Sequence, residues 1–463
     1  MTDEQSLPCF LPDMLRQPPE IVRALQDRML RRMVEICHDA HPFYGRLMRR
    51  ERIEPRHIQS CADLVRLPPS TKADFLADPD AFRLDPANLP GHEGTLWKVV
   101  YTTGTTSGRP APVYVTAHDH FAYMFGFKDR QDMIGLRETD RLMNLFPLTN
   151  FPLGAFARAP DEVAAIGASI AFGHTGRADM PFPLNRSLDD AVAAITRHRV
   201  TVLWGVAGFV RRVLIRAKDL GADLTSVRMV MTTGEAASPA MRADFRRRMA
   251  DLGCADTVVV NRYGSTEQGG TMIECCDGSG FHSVLPDQLF HEIVEPETGK
   301  RLADGETGHL AVTHLNRRGT VFLRYLVGDV ASLDHTPCPH CGRTSVRMSS
   351  APVRTGDIVK IKGALVNLGN LKSEFDRKQE IDEYQIVVQP EDPSDAFSMD
   401  ELLIRLAPTK NSEASVAEHI AHEVMRLTNL RPRVEIVDRD DIFNPLTASK
   451  PRRIVDARPP RQT

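Results

Sequence analysis

Val200-Thr201-Val202-Leu203-Trp204-Gly205 is a short apolar run, rich in β-branched residues, that stops at a glycine, and it reads as a buried strand. Leu188 to Arg199 before it is helical, with Val192, Ile195 and neighbouring alanines on one face. Phe209 to Leu220 after it is helical again. Further out, Val227 to Thr233 predicts a second strand, followed by a helix through Met249, and Asp256 to Asn261 a third strand. On the other side, Asp119 to Arg137 predicts a helix and Asp140 to Phe146 a strand. Phe151 to Phe172 predicts a helix followed by the strand 165–170. Strands alternating with helices over this length predict α/β layers on a largely parallel sheet. Ligands on such sheets bind beyond the carboxyl ends of the strands. The loops Gly205 to Gly208, Gly234-Glu235-Ala236 and Tyr263-Gly264-Ser265-Thr266-Glu267 all fall at such ends.

Upstream lies Tyr101-Thr102-Thr103-Gly104-Thr105-Thr106-Ser107-Gly108-Arg109-Pro110. The runs Leu96 to Val100 and Pro112 to Thr116 flank it as strands. Glycine lets successive N–H groups face one concavity, and the hydroxyls add donors for anionic oxygen. The segment reads as a phosphate-binding hairpin loop. It lacks the Gly-x4-Gly-Lys-Ser/Thr pattern, so it is not a P-loop.

The 463 residues exceed one ordinary core and predict two or more domains. A net charge of -3 gives no electrostatic case for nucleic acid or an anionic membrane. The first residues, Met1 to Ser6, are polar and acidic, and the longest apolar stretch, Val163 to Phe172, falls far short of a membrane span of about 20 residues. A cytoplasmic protein with reduced thiols is expected. Residues 19–50 read as helical, with His41-Pro42-Phe43-Tyr44 breaking the pattern. From Phe290 the texture turns to short strands and turns, a β-rich subdomain. A boundary is expected near Arg354-Thr355-Gly356-Asp357, dividing a large domain, 1–355, from a small α+β domain, 356–463.

Four segments match one pattern in order: the loop at 101–110, Asn261-Arg262-Tyr263-Gly264-Ser265-Thr266-Glu267, Arg324-Tyr325-Leu326-Val327-Gly328-Asp329, and Arg354-Thr355-Gly356-Asp357 with Ser449-Lys450-Pro451-Arg452-Arg453. The chain resembles the adenylate-forming superfamily of acyl-CoA synthetases, adenylation domains and luciferases. Pro42-Phe43-Tyr44, Leu67 to Lys72 and Cys341-Gly342-Arg343-Thr344 make it most similar to the phenylacetate-CoA ligase-like branch. The resemblance covers nearly the whole chain and implies a multi-subdomain α/β large domain with a small mobile α+β domain behind it. It implies ATP, Mg²⁺ and CoA as reactants and cofactor, and a small carboxylic acid, aromatic or cyclic, as substrate.

By the same resemblance, Thr103, Gly104, Thr105, Thr106 and Ser107 cradle the β- and γ-phosphates. Thr266 contacts the α-phosphate and Glu267 holds Mg²⁺. Tyr263 lies against the adenine, with Gly234 and Glu235 on its other side and Arg262, Gly264 and Ser265 in the same nucleotide site. Asp329 accepts from the ribose hydroxyls, with Arg354 nearby. Lys450 reaches the carboxylate and α-phosphate oxygens. The acid pocket is expected from Phe146, Phe151, Ala207, Gly208 and Gly234. The loop is one residue longer than the usual Ser-Gly-Thr-Thr-Gly-x-Pro form, so which hydroxyl meets which phosphate stays open. The family's hinge position, commonly Asp or Lys, is Gly356 here.

Cys275, His282 and the Cys-x2-Cys knuckle Cys338-Pro339-His340-Cys341 predict a closed tetrahedral, structural Zn²⁺ site. Cys276 and His340 are alternative donors. The expected activity is an ATP-dependent acid–CoA ligase. Transfer to an amine or a carrier-protein thiol is an alternative acceptor chemistry, and a non-catalytic zinc-containing binding protein an alternative of another class. A homodimer is left open.

Overall fold

The structure is a computed structural model. It describes the chain except residues 1–12, 90, 103–109, 149–151, 176–185, 236, 296, 349–351, 355–357, 362–363, 393–398, 410–414, 429, 445–450 and 459–463. The chain begins with α1 (Pro19–Ala40) and α2 (Pro42–Arg50). Pro42 does break the helical pattern, but it also opens the second helix at its first turn, where a missing N–H costs nothing. Next comes α3 (Lys72–Ala77), whose N-cap Thr71 forms a reciprocal capping box with Asp74. β1 (Leu96–Tyr101) and β2 (Pro112–Thr116) form an antiparallel hairpin with Tyr101 opposite Pro112.

The expected 119–137 helix is two elements, α4 (Ala117–Asp129) and α5 (Gln131–Ile134), the second ending at left-handed Gly135. Then follow β3 (Arg141–Asn144), α6 (Gly154–Ile166), β4 (Ser169–Phe172), α7 (Leu188–Arg197), β5 (Val202–Gly205), α8 (Ala207–Asp219), β6 (Met229–Thr232), α9 (Pro239–Asp251) and β7 (Val258–Tyr263). After them come β8 (Met272–Glu274), β9 (Phe281–Ser283), β10 (Leu289–Val294), β11 (Gly308–His314), β12 (Tyr325–Ala331), β13 (Leu333–Asp334), β14 (Arg347–Met348) and β15 (Val353–Arg354). The last part holds β16 (Ile358–Ile361), β17 (Ala364–Asn367), α10 (Leu368–Phe375), β18 (Ile381–Pro390), β19 (Asp400–Pro408), α11 (Val416–Thr428), β20 (Arg433–Ile436), α12 (Arg439–Ile442) and β21 (Ile454–Asp456).

The main sheet has nine strands in the order β13-β14-β9-β8-β7-β6-β5-β3-β4. From β4 to β7 neighbours are parallel; beyond β7 they are antiparallel. Two-residue periodicity divides the strand side chains between two cores. Leu142, Val202, Trp204, Met229, Met231 and Val260 pack on one face with α4, α6 and the N-terminal helices. Met143, Leu203, Val230 and Val259 pack on the other with α7, α8 and α9. Four-stranded β10-β11-β12-β15 is the β-rich part. Sheet β20-β19-β18-β21 surrounds its own core, from Val359 to Val424, together with α10 and α11. The hairpin β16–β17 was not anticipated from sequence. Among the described residues, no helix is long and apolar enough to cross a membrane.

Candidate active site

A cleft open to solvent lies beyond the carboxyl ends of the parallel strands. Its walls are the strand-end segments read from sequence: Phe146 and Pro147 after β3, Val206 after β5, Thr233 and Gly234 after β6, and Gly264 to Glu267 after β7. Gly154 and Ala155 of α6, and Val327 of β12, complete the rim. Ala207 and Gly208, expected in the acid pocket, do not line this cleft: Ala207 is buried in the core under α8, and the Gly208 N–H donates to Glu235. Thr103 to Ser107, Phe151, the hinge at Gly356 and Lys450 lie outside the described residues. The β1–β2 hairpin nonetheless fixes where residues 103–109 are attached: Thr102 exchanges backbone and hydroxyl hydrogen bonds of 3.0 Å with Ala111.

The residues expected to face a nucleotide meet at the edge of this cleft. Tyr263 donates from its phenol to Asp329, 2.7 Å away. Asp329 is aimed by a bulge: the β11–β12 register slips between His309 and Ala311, and Gly328 takes φ 84° there. Arg354 is the cross-strand neighbour of Asp329. Gly234 has φ 86°, which turns the chain sharply after β6. Thr266 sits against the start of α6, where a Cβ on Gly154 would stand 2.6 Å from its hydroxyl. Glu267 is 6% exposed, and Lys72 Nζ lies 3.4 Å from its Oε1. The Thr71 cap starts the helix that carries Lys72, and Ser70 fastens the segment by bridging to Tyr325 and bonding Tyr44.

The floor of the cleft is polar, which the sequence did not suggest. Arg262 points its guanidinium at Glu162 of α6 through two hydrogen bonds of 2.9 Å. Tyr123 donates to the same carboxylate at 2.7 Å. Burial, and then the charge of Glu162, push the Tyr123 phenol well above its usual range, so it stays a donor. Arg262 also stacks over Trp204, 4.3 Å from the ring centroid. Arg158, on the same helix as Glu162, donates to the carbonyl of Thr266 at 3.2 Å. Of these residues, Trp204 had a legible signal, its place at the carboxyl end of a strand. Glu162 and Arg158 read as ordinary helix polars.

Away from the cleft, Cys275, His282, Cys338 and Cys341 bring four donor atoms within 4.8 Å of one another. Cys275 and Cys338 sulfurs are 3.9 Å apart, close to the edge of about 3.8 Å that a tetrahedron with zinc–sulfur bonds of 2.3 Å has. Cys341 Sγ is 3.6 Å from His282 Nε2, and Ser345 contacts Nδ1 at 3.4 Å, an outer partner for the ring. Burial, then Arg347 and Arg343, push the His282 imidazole down to about 4, so it is neutral and free to ligate at pH 7. Burial and the neighbouring thiols push Cys275 up to about 12, so its thiolate, the ligating form, depends on a cation to form at pH 7. Cys276 and His340 are exposed and outside this group, which answers the alternative the sequence left open.

A parallel-sheet cleft walled by a Tyr-Gly-x-Thr-Glu loop, with an aspartate beside the tyrosine, defines a nucleotide-handling enzyme of the adenylating class. The sequence profile of the family described as AMP-binding enzyme matches residues 41–326, and the chain belongs to that family. It is 26% identical over 436 residues to phenylacetate-coenzyme A ligase of Thermus thermophilus, covering 94% of this chain and 93% of the relative. It is 24% identical to phenylacetate-coenzyme A ligase of Escherichia coli over 94% of this chain and 95% of that one. Among solved structures, 2-hydroxyisobutyryl-CoA ligase in the postadenylation state superposes with a TM-score of 0.77 at 20% identity, over 98% of this chain and 95% of that one. The same ligase in the thioesterification state gives 0.62 at 21% identity, over 99% and 95%.

Proposed function

We propose that the protein is an ATP-dependent acid–CoA ligase whose substrate is an aromatic or other cyclic carboxylic acid. The observation that carries this is one cleft lined both by Thr266 and Glu267 and by Phe146, Trp204 and Tyr123, with the hydrogen-bonded pair Tyr263 and Asp329 next to the Gly264 wall. The relatives, both named phenylacetate-coenzyme A ligases, support the acid class and the CoA acceptor.

In the first half-reaction a carboxylate oxygen of the acid attacks the α-phosphorus of ATP. The bond to the β-phosphate oxygen breaks, pyrophosphate leaves, and an acyl-AMP remains. Tyr263 stacks on the adenine, held in place by its bond to Asp329, and the Asp329 carboxylate faces the ribose diol. The Thr266 hydroxyl and Lys450 meet the charge that builds on the α-phosphate oxygens. Thr103 to Ser107 supply donors to the leaving phosphates. Glu267 would hold Mg²⁺, which would supply positive charge against the phosphates. In the second half-reaction the sulfur of CoA attacks the acyl carbon, forming the thioester and expelling AMP. Cys275, His282, Cys338 and Cys341 would hold Zn²⁺ with no open position, a structural role that ties β8–β9 to the β13–β14 turn. The domain division near residue 356 and a cytoplasmic location belong to the same reading.

A panel of aryl and alicyclic acids with ATP, Mg²⁺ and CoA, read by the masses of acyl-AMP and acyl-CoA, tests it. Release of pyrophosphate with thioester formation is expected. Acyl-AMP without thioester would point to a different acceptor, and no pyrophosphate with any acid would overturn the reading.

A further inference from the structure

Helix α6 joins the parallel strands β3 and β4, so it runs from their carboxyl ends back toward their amino ends. Gly154, Arg158 and Glu162 recur every four residues along it, share one face, and all line the cleft. Gly154 packs against Thr266. Glu162 lies two turns deeper, about 12 Å along the helix axis. Beside it stand Phe146 and Trp204, whose rings meet edge to face with centroids 5.6 Å apart. The indole N–H of Trp204 goes to the Thr233 hydroxyl at 3.2 Å, so Trp204 offers a ring and no donor. An aromatic ring in the cleft would therefore be met by other rings at its sides.

The base is of another kind. Glu162 and Arg262 are buried together and cancel each other's charge. Oε1 of Glu162 accepts from both Arg262 and Tyr123, whereas Oε2 accepts from Arg262 alone among the described residues. A carboxylate oxygen has room for a second bond, so Oε2 is the open acceptor. Arg262 spends two N–H groups on Glu162, and its Nε is buried with no acceptor among the described residues. The cluster thus has both donor and acceptor capacity to spare while carrying no net charge. A neutral hydroxyl matches it: the oxygen accepts from the guanidinium and the hydrogen goes to Oε2. A methyl group there would cover both polar groups without replacing the water they lose. A carboxylate or ammonium would enter without a counter-charge, because Arg262 and Glu162 already cancel.

Resting on the acid-ligase reading, we propose that Glu162, Arg262 and Tyr123 select an aryl acid bearing a hydroxyl group on the ring, at the end remote from the carboxyl group. Tyr123 occupies Oε1 and leaves Oε2 for the substrate. These are specificity-determining residues, and they take no part in the bond changes at phosphorus or at the acyl carbon.

The test uses matched acids. Benzoate, phenylacetate and cinnamate, each with a para hydroxyl, methyl or carboxylate substituent, are compared by kcat/KM for acyl-AMP and acyl-CoA formation. The three spacers let the ring find its depth. In the best spacer series the hydroxy acid is expected to exceed the methyl and carboxy acids by about 10-fold or more. Glu162→Leu with Arg262→Met is expected to bring the hydroxy-to-methyl ratio to about 1. Glu162→Gln keeps the shape but leaves the Arg262 charge uncancelled, so the carboxy acid is expected to gain about 10-fold on the hydroxy acid. No acyl-AMP from any acid would overturn the ligase reading, and the selection with it. Acyl-AMP formed equally well from hydroxy and methyl acids would overturn the selection alone. So would a wild-type preference for the carboxy acid, a hydroxy preference that survives in the folded double variant, or no gain by the carboxy acid in Glu162→Gln. The wild-type ratios need no variant, so if the double variant fails to fold they decide together with Glu162→Gln.

Discussion

Arg262 and Glu162 form a two-bond ion pair whose side chains are each 1% exposed, under the ring of Trp204 and at the base of the cleft. A buried pair broken on one side leaves a charge with no solvent. Glu162→Ala is therefore expected to destabilise the protein by about 3–5 kcal/mol. Replacing both partners, Glu162→Leu with Arg262→Met, is expected to restore most of that loss, because no charge remains buried. Thermal melts of the three variants check this. The double variant, assayed over the acid panel, should shift preference toward acids without polar substituents at the distal end.

Glu267 faces the cleft beside Lys72. Glu267→Gln removes the anionic oxygen proposed for Mg²⁺ but keeps shape, and Lys72, about a quarter exposed, can turn to water. Acid-dependent pyrophosphate release is expected to fall by about 100-fold or more with melting unchanged. A Mg²⁺ titration that no longer saturates in the wild-type range would identify the lost ligand. Equal activity would remove Glu267 from the site.

The thiol–imidazole cluster predicts one zinc per chain by elemental analysis of protein purified without chelators. Cys341→Ala should lose the metal and lower the melting temperature. Cys276→Ser should keep both, since that thiol lies outside the cluster. Retained zinc in the first variant would refute the ligand assignment.

Asp140 anchors the amino-terminal ends of β3, β5 and β6. It accepts from Arg228 Nε at 2.8 Å, from the Thr201 hydroxyl at 2.8 Å and from the Arg137 amide at 2.8 Å. Burial alone would raise its pKa, but the hydrogen bonds from Arg228, Thr201 and Arg137 prevail and hold it below the usual carboxylate range. A depressed folded-state pKa contributes stability that is whole above the unfolded value, about 3.9, and is lost as pH falls through the folded one. Asp140→Asn should therefore be less stable than wild type at pH 7, with the gap narrowing below about pH 4. Parallel melts across pH 3 to 7 measure it.

What the sequence made legible was local and periodic. Val202 to Gly205, Met229 to Thr232 and Val258 to Tyr263 alternate with helices, so composition and period marked them as strands of a largely parallel sheet, and the structure makes them neighbours. Their terminal loops then had to meet, and Phe146, Gly234 and Thr266 do. The four metal-type donors were legible because thiols are scarce and their spacing restrictive. The polar floor was not. Glu162 and Arg262 are 100 residues apart, and an acidic residue on α6 looks the same in sequence whether it faces water or a buried arginine. Glu235 and Arg453, 218 residues apart, also pair, and that contact was hidden for the same reason.

The thiol–imidazole cluster has one more effect, which belongs to chain statistics rather than to chemistry. Its donors fall in two segments, and the chain between His282 and Cys338 carries β10, β11 and β12, with Asp329 among them. A metal in that cluster closes a loop of roughly 60 residues, and by analogy with a covalent crosslink this removes unfolded-state freedom equivalent to about 4 kcal/mol. The sheet bearing Asp329 becomes a segment pinned at both ends. Its local opening would then be rarer than its own packing could secure, and the Asp329 side of the cleft would take its rigidity from a cluster that lies outside the cleft.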